Sequence, residues 1–541
     1  MDSVQFALAL EKYDVTVHQP HPPGYFLYVM LGRLFHLVIK DANQAYIAMN
    51  IILSGLTVIG VYYLGKEIFD GRTGILAAAV AITSPTFWFH GEVALSYAAD
   101  AFSSTALAIL CWKIYRGRHE YIWLSAVVLG IAGGMRQNTV VFLFPFWLFS
   151  VKGVPLRKIA LSIGLLGLTC LLWFIPMVWM TGGWEAYKWA FGELWRFTAG
   201  LSSKWPLGLY SFTLLRFTGC GIGVGLFAIA FSAYSLIKSD GLKSLDRTKS
   251  AFFAFWILSP VFFYLVIGIF HGNPGMGLIY LPGLFIITSA SMRYVSDKLK
   301  RSFKREYLVP VASSLLMINI IIFVSGHSPV SLWHINNHER KLSAILAKVR
   351  IFDPLDTLII ADPNIFFGFS ELMYYLPEYR VYQFDTTTTP SGEIRRTLWG
   401  INRQTFLTDE LVLPLNITRF AAVLFAEDKN RVDGVQGMAT RIVVPGLYIA
   451  AGPVGRLQSV FPEMKVRPAS DGKAEKALSL TCTRMAHKMT ETSMSRKSIF
   501  AGIHRAFVIS VAMPLKQDAL EMPAGKIADT HTQIRGEIEI A

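Results

Sequence analysis

The chain has 541 residues, and its 51 Lys and Arg against 37 Asp and Glu give a formal net charge of +14. Apolar residues make up 53% and charged residues only 16%, whereas soluble domains carry about 25% charged residues. This composition excludes a disordered chain, a disulfide scaffold and an ordinary soluble enzyme, and it favours a protein that crosses a membrane several times. Positive charge in such a protein is typical of cytoplasmic loops, so no nucleic-acid partner is expected.

Ten apolar stretches in the first 326 residues are candidate membrane spans. They lie at about 43–65, 73–90, 93–113, 120–135, 138–151, 159–180, 209–237, 251–270, 276–292 and 306–326. The sequence therefore predicts an all-α polytopic membrane domain over residues 1–326.

Basic residues in the connections predict the orientation of these spans. One set of alternate loops holds eighteen Lys and Arg, and the other set holds four, namely Arg136, Lys188, Arg196 and Lys204. Because Lys and Arg accumulate in cytoplasmic loops, the first set is predicted to be cytoplasmic. Residues 1–42, the loops near 87–93, 135–138, 181–208 and 271–275, and everything after 326 are then expected on the extracytoplasmic side of the plasma membrane. The distinctive segments HQPHPPGY, FHGE, MRQN and HGNPGMG all lie there, so chemistry is expected at that face.

Residues 1–42 carry no preceding apolar segment that would take them across the membrane. One interpretation is a first membrane helix upstream of Met1, which would give about eleven spans. The other is a short N-terminal tail that is translocated unaided.

After residue 326 the composition changes, and short apolar runs with acidic or turn endings follow one another. The segments TLIIAD, RVYQFD, AAVLFAED and TRIVVPGLYIAAG are typical of buried strands, and FGFSELMYYLPE is typical of a helix. Residues 327–464 are therefore predicted to form a small extracytoplasmic α/β domain. Residues 465–541 show no core pattern and are predicted to be poorly specified or disordered.

Candidate chemical groups begin with Asp2 and the histidines of HQPHPPGY. A carboxylate at a membrane interface can act as a general base or hold a cation. The prolines between His18 and Gly24 predict a stiff, extended path. His18 and His21 on such a segment could bind a phosphate or a metal, or they could simply be solvated imidazoles on a rigid turn.

The segment FHGEVALSYAAD predicts a polar face on a helix. Glu92, Ser96 and Asp100 are spaced by four residues and would share one face, with Asp100 about 12 Å deeper than Glu92. Such a face suggests a polar cavity open to the outside. The alternatives are that Glu92 is a helix cap and that Asp100 pairs with Arg216 inside the membrane.

Two further outer loops carry candidate ligands. Arg136 follows two glycines and suits a lipid phosphate, or it snorkels to the headgroups. His271 lies in a tight Gly-Asn-Pro turn and is a further candidate for binding a phosphate, or it serves no ligand. The tryptophans of residues 182–197 predict an interfacial helix that could also stack on a sugar.

Taken together, DSVQF, HPPGY and FWFHGEVALSY over residues 1–326 resemble the GT-C membrane glycosyltransferases. The nearest branch is the protein O-mannosyltransferase and aminoarabinose-transferase-like group, with its RgtA/B/C/D-like domain. The resemblance implies a polyprenyl-phosphate-linked sugar donor at the outer face and an essential acid in the first outer loop. No P-loop, no G-x-G-x-x-G after a strand and no H-E-x-x-H occurs in the sequence, which agrees with a lipid-linked rather than a nucleotide-linked donor.

The resemblance also implies roles for single residues. Asp2 would be the catalytic or metal-associated acid, with Mg or Mn as the cation, and Glu92 a supporting acid. His21 and Arg136 would lie near the donor phosphate. The reaction would be a displacement at the anomeric carbon with inversion. The acceptor could be a protein, a lipid or a glycan.

Two other classes remain open at this stage. A multi-pass transporter or flippase would bind its substrate near the midplane on broken helices, and only Asp100 and Arg216 favour it. A non-catalytic scaffold with a partner-binding outer domain would leave Asp2 and HPPGY unexplained.

Overall fold

The computed structural model describes residues 2–202, 207–238, 246–267, 273–361, 368–388, 394–399, 410–462 and 465–468. Up to Ser325 the regular elements in these ranges are helices. They are α1 (Asp2–Glu11), α2 (Phe26–Val38), α3 (Ala42–Ile68), α4 (Gly71–Thr83), α5 (Pro85–Gly91), α6 (Tyr97–Tyr115), α7 (Ile122–Met135), α8 (Gln137–Ser150), α9 (Leu156–Met180), α10 (Trp184–Ser202), α11 (Leu207–Ile222), α12 (Gly225–Lys238), α13 (Arg247–Ile267), α14 (Leu281–Phe303) and α15 (Leu308–Ser325).

Among the described residues, α3, α9, α13 and α15 are long and apolar enough to cross a membrane. The bent pair of α11 and α12 adds a fifth crossing if it counts as one span. The chain is thus a multi-pass membrane protein, but helix length and composition do not reproduce the predicted count of ten. The exposed Trp184, Trp189 and Trp195 lie on α10, which forms the helix predicted from residues 182–197.

Two predicted spans are broken in the structure. The stretch 73–90 is divided at Ser84, whose hydroxyl accepts a hydrogen bond from Phe87 N and caps α5. The stretch 209–237 is divided into α11 and α12, which meet at an angle of 109°. Asn319 supports this break, because its side-chain oxygen accepts from Val224 N at 3.0 Å and its amide donates to Ile222 O at 3.4 Å. An apolar run alone does not reveal this second break, since the group that satisfies the freed backbone lies about one hundred residues away.

The following region, the sheet region, begins with α16 (Leu332–Val349). Its other elements are β1 (Thr357–Ala361), α17 (Gly368–Tyr375), β2 (Arg380–Thr388), β3 (Ile394–Trp399), β4 (Glu410–Leu413), β5 (Arg419–Phe425), β6 (Ala439–Val444), β7 (Leu447–Pro453), α18 (Leu457–Val460) and β8 (Lys465–Pro468). The six-stranded sheet has the order β3-β2-β1-β5-β7-β6. Strand β1 runs parallel to β2 and β5, and the remaining pairs are antiparallel.

The predicted strands and the predicted helix of this region are all present. The last apolar segment, predicted as one strand, is a hairpin of β6 and β7, because Pro445 and Gly446 turn the chain. Strand β8 pairs in parallel with β4, so the first four residues of the predicted disordered tail are ordered. The rest of that tail lies outside the described residues.

Helix α1 lies between the two regions and contributes to both of their cores. Val4 and Leu8 belong to a buried apolar cluster with residues of α16, α17 and the sheet. Phe6 and Leu10 belong to another buried cluster, built from the first helices of the chain. A ten-residue helix is marginal in water on its own, so this double burial is what stabilises α1.

Candidate active site

Helix α1 is fixed in place by hydrogen bonds from the two helices that follow it. Tyr46 Oη in α3 donates to Phe6 O at 3.2 Å, and Arg33 Nη2 in α2 donates to Ala9 O at 3.0 Å. The Phe6 ring makes edge contacts with the rings of Tyr28 at 4.9 Å and His21 at 5.6 Å between centroids. Asp2 in the first turn of this helix therefore has a defined position close to His21.

The HQPH segment is a closed turn rather than the predicted extended path. Asp14 N donates to Gln19 O at 2.6 Å, and Gln19 N donates to Asp14 O at 3.0 Å. Thr16 N and its hydroxyl both donate to the Asp14 carboxylate. These hydrogen bonds outweigh the extended preference that the prolines give the chain, and they bring His18 and His21 to the side of the turn that faces α1.

The HPPGY segment is held by three side chains from distant parts of the sequence. Gln137 Nε2 donates to Pro23 O at 3.1 Å, and Tyr187 Oη donates to the same carbonyl at 3.2 Å. Tyr13 Oη donates to Gly24 O at 2.6 Å. Helices α8 and α10 thereby fix the turn that carries His21 and Tyr25.

Gly24 is the residue at which this packing leaves no room for a side chain. Its φ is +123°, and an added Cβ would lie 2.7 Å from Tyr13 Oη and 2.8 Å from Met177 Sδ. Gly24→Ala is expected to lower the free energy of unfolding by about 1–3 kcal/mol, the usual cost of such strain, and to reduce activity by displacing His21. Thermal unfolding measures the change, and Gly164→Ala, where no atom lies within 4 Å, is the matched control. Equal midpoints for the two variants would contradict the prediction.

Asp2 lies within electrostatic range of His21, Arg136 and His18. Burial opposes ionisation of Asp2, but nearby basic groups, Arg136 among them, outweigh it and hold the pKa of the carboxyl below its ordinary value. Burial lowers the pKa of His18 to about 4, and it also lowers the pKa of His21. At neutral pH the carboxylate is therefore charged and both imidazoles are neutral.

Arg136, between α7 and α8, is buried with 6% of its surface exposed. Its Nη1 donates to Asp100 Oδ2 at 3.0 Å, and Thr139 Oγ1 donates to Asp100 Oδ1 at 2.5 Å. The guanidinium stacks over the Tyr97 ring at 4.3 Å. The alternative pairing of Asp100 with Arg216 is thus wrong, and so is snorkelling of Arg136, because an ion pair and an aromatic face replace the headgroup contacts.

Two buried nitrogens near Asp2 have no hydrogen-bond partner among the described residues. They are Arg136 Nε and His21 Nδ1, while His21 Nε2 contacts Tyr25 Oη at 3.1 Å. Unsatisfied buried polar groups are rare and call for a functional explanation. We refer to Asp2, His21, Tyr25, Tyr97, Asp100 and Arg136 as the Asp2 cluster, a charged and hydrogen-bonding centre that suits an anionic ligand.

Glu92, Ser96 and Asp100 do not share a helical face as predicted. The chain between α5 and α6 is a loop, and Asn50 Nδ2 in α3 donates to the carbonyls of Val93 at 2.7 Å and Leu95 at 2.9 Å. Glu92 follows the end of α5 and accepts a hydrogen bond from the Trp88 indole at 2.5 Å.

Ser96 immediately precedes α6, and Asp100 lies in the first turn of that helix, not at the predicted depth. The cause is again a distant side chain, because Asn50 satisfies loop carbonyls that a helix would otherwise have to pair.

Tyr25, Tyr97 and Gln137 are the members of this region that the sequence did not single out. Tyrosine and glutamine are common in ordinary packing, and only the position of Gln137 directly after Arg136 offered a signal. His90 is likewise new, with its Nε2 at 3.1 Å from Asn273 Oδ1. His271, predicted near the donor phosphate, lies outside the described residues.

The residues near Asp2 do not fit a divalent cation. Within the described parts of the chain, no group of three His, Cys, Asp or Glu could hold a metal ion. The titratable groups in electrostatic range of the Asp2 carboxylate include two imidazoles, a guanidinium and one further carboxylate, that of Glu371, whereas Mg²⁺ and Mn²⁺ prefer a set of several oxygen ligands. The predicted role of Asp2 in metal binding therefore has no support in this arrangement, and no step below depends on a metal.

The fold is that of a polytopic membrane protein. Its charged and hydrogen-bonding centre, the Asp2 cluster, lies where helices begin or end, with Asp2 and Asp100 in first turns and Arg136 directly after α7. Residues 20–180 match the family model described as dolichyl-phosphate-mannose-protein mannosyltransferase. This match confirms the predicted resemblance to the GT-C membrane glycosyltransferases. No curated protein matches the sequence.

Two solved structures of one protein show the same fold. ArnT from Cupriavidus metallidurans bound to undecaprenyl phosphate has 11% identity and a TM-score of 0.52, with 83% of this chain and 93% of that chain covered. The apo state of that protein has 12% identity, a TM-score of 0.51 and the same coverage. The Archaeoglobus fulgidus oligosaccharyltransferase in complex with Zn and sulfate is also similar, with 12% identity and a TM-score of 0.42 over 78% of this chain and 64% of that chain.

Proposed function

We propose that this protein is an integral membrane glycosyltransferase that moves a sugar from a polyprenyl-phosphate donor to an acceptor at the extracytoplasmic face. The family model over residues 20–180 and the undecaprenyl phosphate bound to the similarly folded ArnT support a lipid-phosphate donor. The excess of Lys and Arg in the opposite loops supports the extracytoplasmic location. The sugar and the acceptor stay unassigned.

The observation that carries the proposal is that the Asp2 cluster holds a carboxylate and a guanidinium within electrostatic range of each other. Asp2 is a carboxylate in electrostatic range of Arg136, and Arg136 keeps a buried Nε without a partner among the described residues. Sugar transfer from a lipid phosphate needs both a base and an anion-binding group. Asp100 neutralises part of the charge of Arg136 and orients its guanidinium through Nη1. The remaining Nε–H group is assigned to the donor phosphate.

In the proposed reaction the acceptor hydroxyl attacks the anomeric carbon from the side opposite the phosphate. The hydroxyl proton passes to Asp2 as the new carbon–oxygen bond forms. The bond between the anomeric carbon and the phosphate oxygen breaks, and its electron pair leaves with the lipid phosphate. Arg136 and His21 stabilise that oxygen with N–H groups fixed before the reaction. A single displacement of this kind inverts the anomeric configuration.

We also propose that Glu92 is a supporting acid, because its carboxylate lies in the loop that leads to Tyr97 and Asp100.

The transport hypothesis was favoured only by Asp100 and Arg216 as charged groups within the spans. Asp100 pairs with Arg136 rather than Arg216, so this argument for transport no longer holds.

The protonation states give this mechanism a characteristic pH dependence. Asp2 has a lowered pKa, so its base form is present at neutral pH and is lost only when the pH falls through that lowered value. His18, with a pKa of about 4, stays neutral over the same range. We expect kcat/KM for donor consumption to have no inflection between about pH 5.5 and 7.5, where ordinary histidines titrate. An inflection near pH 6.5 that disappears in His21→Asn would contradict these assignments.

The function itself is tested with membranes that contain the protein and radiolabelled polyprenyl-phosphate sugars. Transfer from a lipid-linked sugar removes label from the lipid fraction and adds it to an acceptor fraction. Membranes from cells that lack the protein are the control. Transport would be favoured if the protein consumes no donor from a panel of lipid-linked hexoses and pentoses but takes up a labelled solute into vesicles.

A further inference from the structure

Helix α16, the end of β5 and the turn between β6 and β7 line an open cavity of about 140 Å³, which lies outside the Asp2 cluster. Four polar side chains of α16 line one wall, namely His334, Asn337, His338 and Lys341. Their spacing of three and four residues puts them on one face of the helix. The opposite wall is formed by Phe425, Pro445, Gly446 and Leu447.

The charge of this wall favours an anion. Lys341 is the one formally charged residue among the eight that line the cavity, and no carboxylate is among them. Burial lowers the pKa of His338 to about 4, and burial and Lys341 lower the pKa of His334. The ammonium of Lys341 and the side-chain amide of Asn337 can each donate hydrogen bonds to an oxyanion.

A metal ion is a poorer match for the same residues. A cation would face the ammonium of Lys341, and two imidazoles without a carboxylate fall short of the three or four protein ligands typical of zinc. Within the described residues no third His, Cys, Asp or Glu completes such a set.

Ring contacts connect the cavity to the Asp2 cluster. The His334 ring lies 6.3 Å from that of Phe89, which lies 5.0 Å from His90. The His90 ring lies 5.1 Å from that of Tyr97, over which Arg136 stacks. Along this path, only the side chains of Phe89 and His90 therefore lie between the cavity-lining His334 and Tyr97 of the Asp2 cluster.

We propose that this cavity binds an oxyanion, a phosphate or carboxylate group, and that the oxyanion belongs to the acceptor. The second part rests on the proposed function, and the first does not. The cavity then selects an anionic acceptor and holds it by its charged group while another part of the molecule reaches Asp2.

The test begins with binding of inorganic phosphate and of acetate to the purified full chain, measured by calorimetry. Lys341→Gln is expected to weaken binding at least tenfold, since hydrogen bonds to charged groups are worth about this factor. Lys348→Gln is the matched control, because it removes the same charge from the same helix about two turns away and does not line the cavity. Equal affinities for the two variants, or Zn²⁺ binding that depends on His334 and His338 without phosphate binding, would overturn the oxyanion site.

The acceptor is tested separately in the transfer assay. Lys341→Gln is expected to raise the KM for the acceptor about tenfold and to leave the KM for the donor unchanged. Unchanged acceptor KM with lost phosphate binding would overturn the assignment to the acceptor. If the wild-type protein consumes no donor but binds phosphate through Lys341, the proposed function fails while the oxyanion site stands.

Discussion

Asp2→Asn is expected to abolish sugar transfer while the protein stays folded. The asparagine keeps the size of the side chain but cannot take the proton of the acceptor hydroxyl, and a positioned base typically contributes about 10²–10⁴-fold to the rate. The measurement is loss of label from the lipid-linked donor in membranes with matched amounts of each variant. Donor binding should change little, because the phosphate contacts are assigned to Arg136 and His21.

Glu11→Gln is the control for this variant, since Glu11 lies at the other end of α1 and is exposed. It removes one carboxylate from the same helix and is expected to retain wild-type activity. Equal activity of Asp2→Asn and the wild type would shift the base to another acid, with Glu92 the next candidate. Equal loss in both variants would indicate that the charge of α1, and not Asp2 itself, matters.

Arg136→Gln is expected to lose both stability and activity. Removing one partner of a buried ion pair typically costs about 3–5 kcal/mol, because the other charge is left uncompensated, and here that charge is Asp100. Loss of the guanidinium also removes the proposed phosphate donor, so we expect a fall in kcat/KM of at least about 10²-fold. Thermal unfolding and donor consumption measure the two effects.

A double variant separates these effects. In Asp100→Asn with Arg136→Gln both charges of this ion pair are removed, so most of the stability lost by leaving Asp100 unpaired should return. Activity should not return, because the phosphate still lacks its cationic partner. Recovery of activity together with stability would assign Arg136 a structural role only, and the phosphate would have to be bound elsewhere.

Much of the architecture could be predicted from local patterns. The strands from β1 to β7 that the sequence marked are apolar runs with clear turn endings, and such runs depend little on distant residues. The break between α11 and α12 and the loop before α6 could not be predicted in this way. Asn319 and Asn50 each pair with backbone groups far away in sequence, and this pairing decides where a helix stops.

Some residues of the candidate site could likewise be predicted from the sequence, and others depend on distant contacts. Asp2, His18, His21 and Arg136 were identifiable because charged or titratable groups are unusual beside membrane spans. Their partners were not, because tyrosines and an amide become significant only when folding brings them to the guanidinium or to the HPPGY turn. The alternative that paired Asp100 with Arg216 was wrong for the same reason, because Arg216 was the only basic residue placed within a predicted span and only packing brings Arg136 to Asp100.

The position of α1 between two cores ties the chemistry to the sheet region. Phe6 and Leu10 pack against the first helices, and Val4 and Leu8 pack against α16, α17 and the sheet. Two faces of the helix are therefore buried, each against a different region. The position of Asp2 relative to Arg136 thus depends on the packing of the sheet region as well as on that of the first helices.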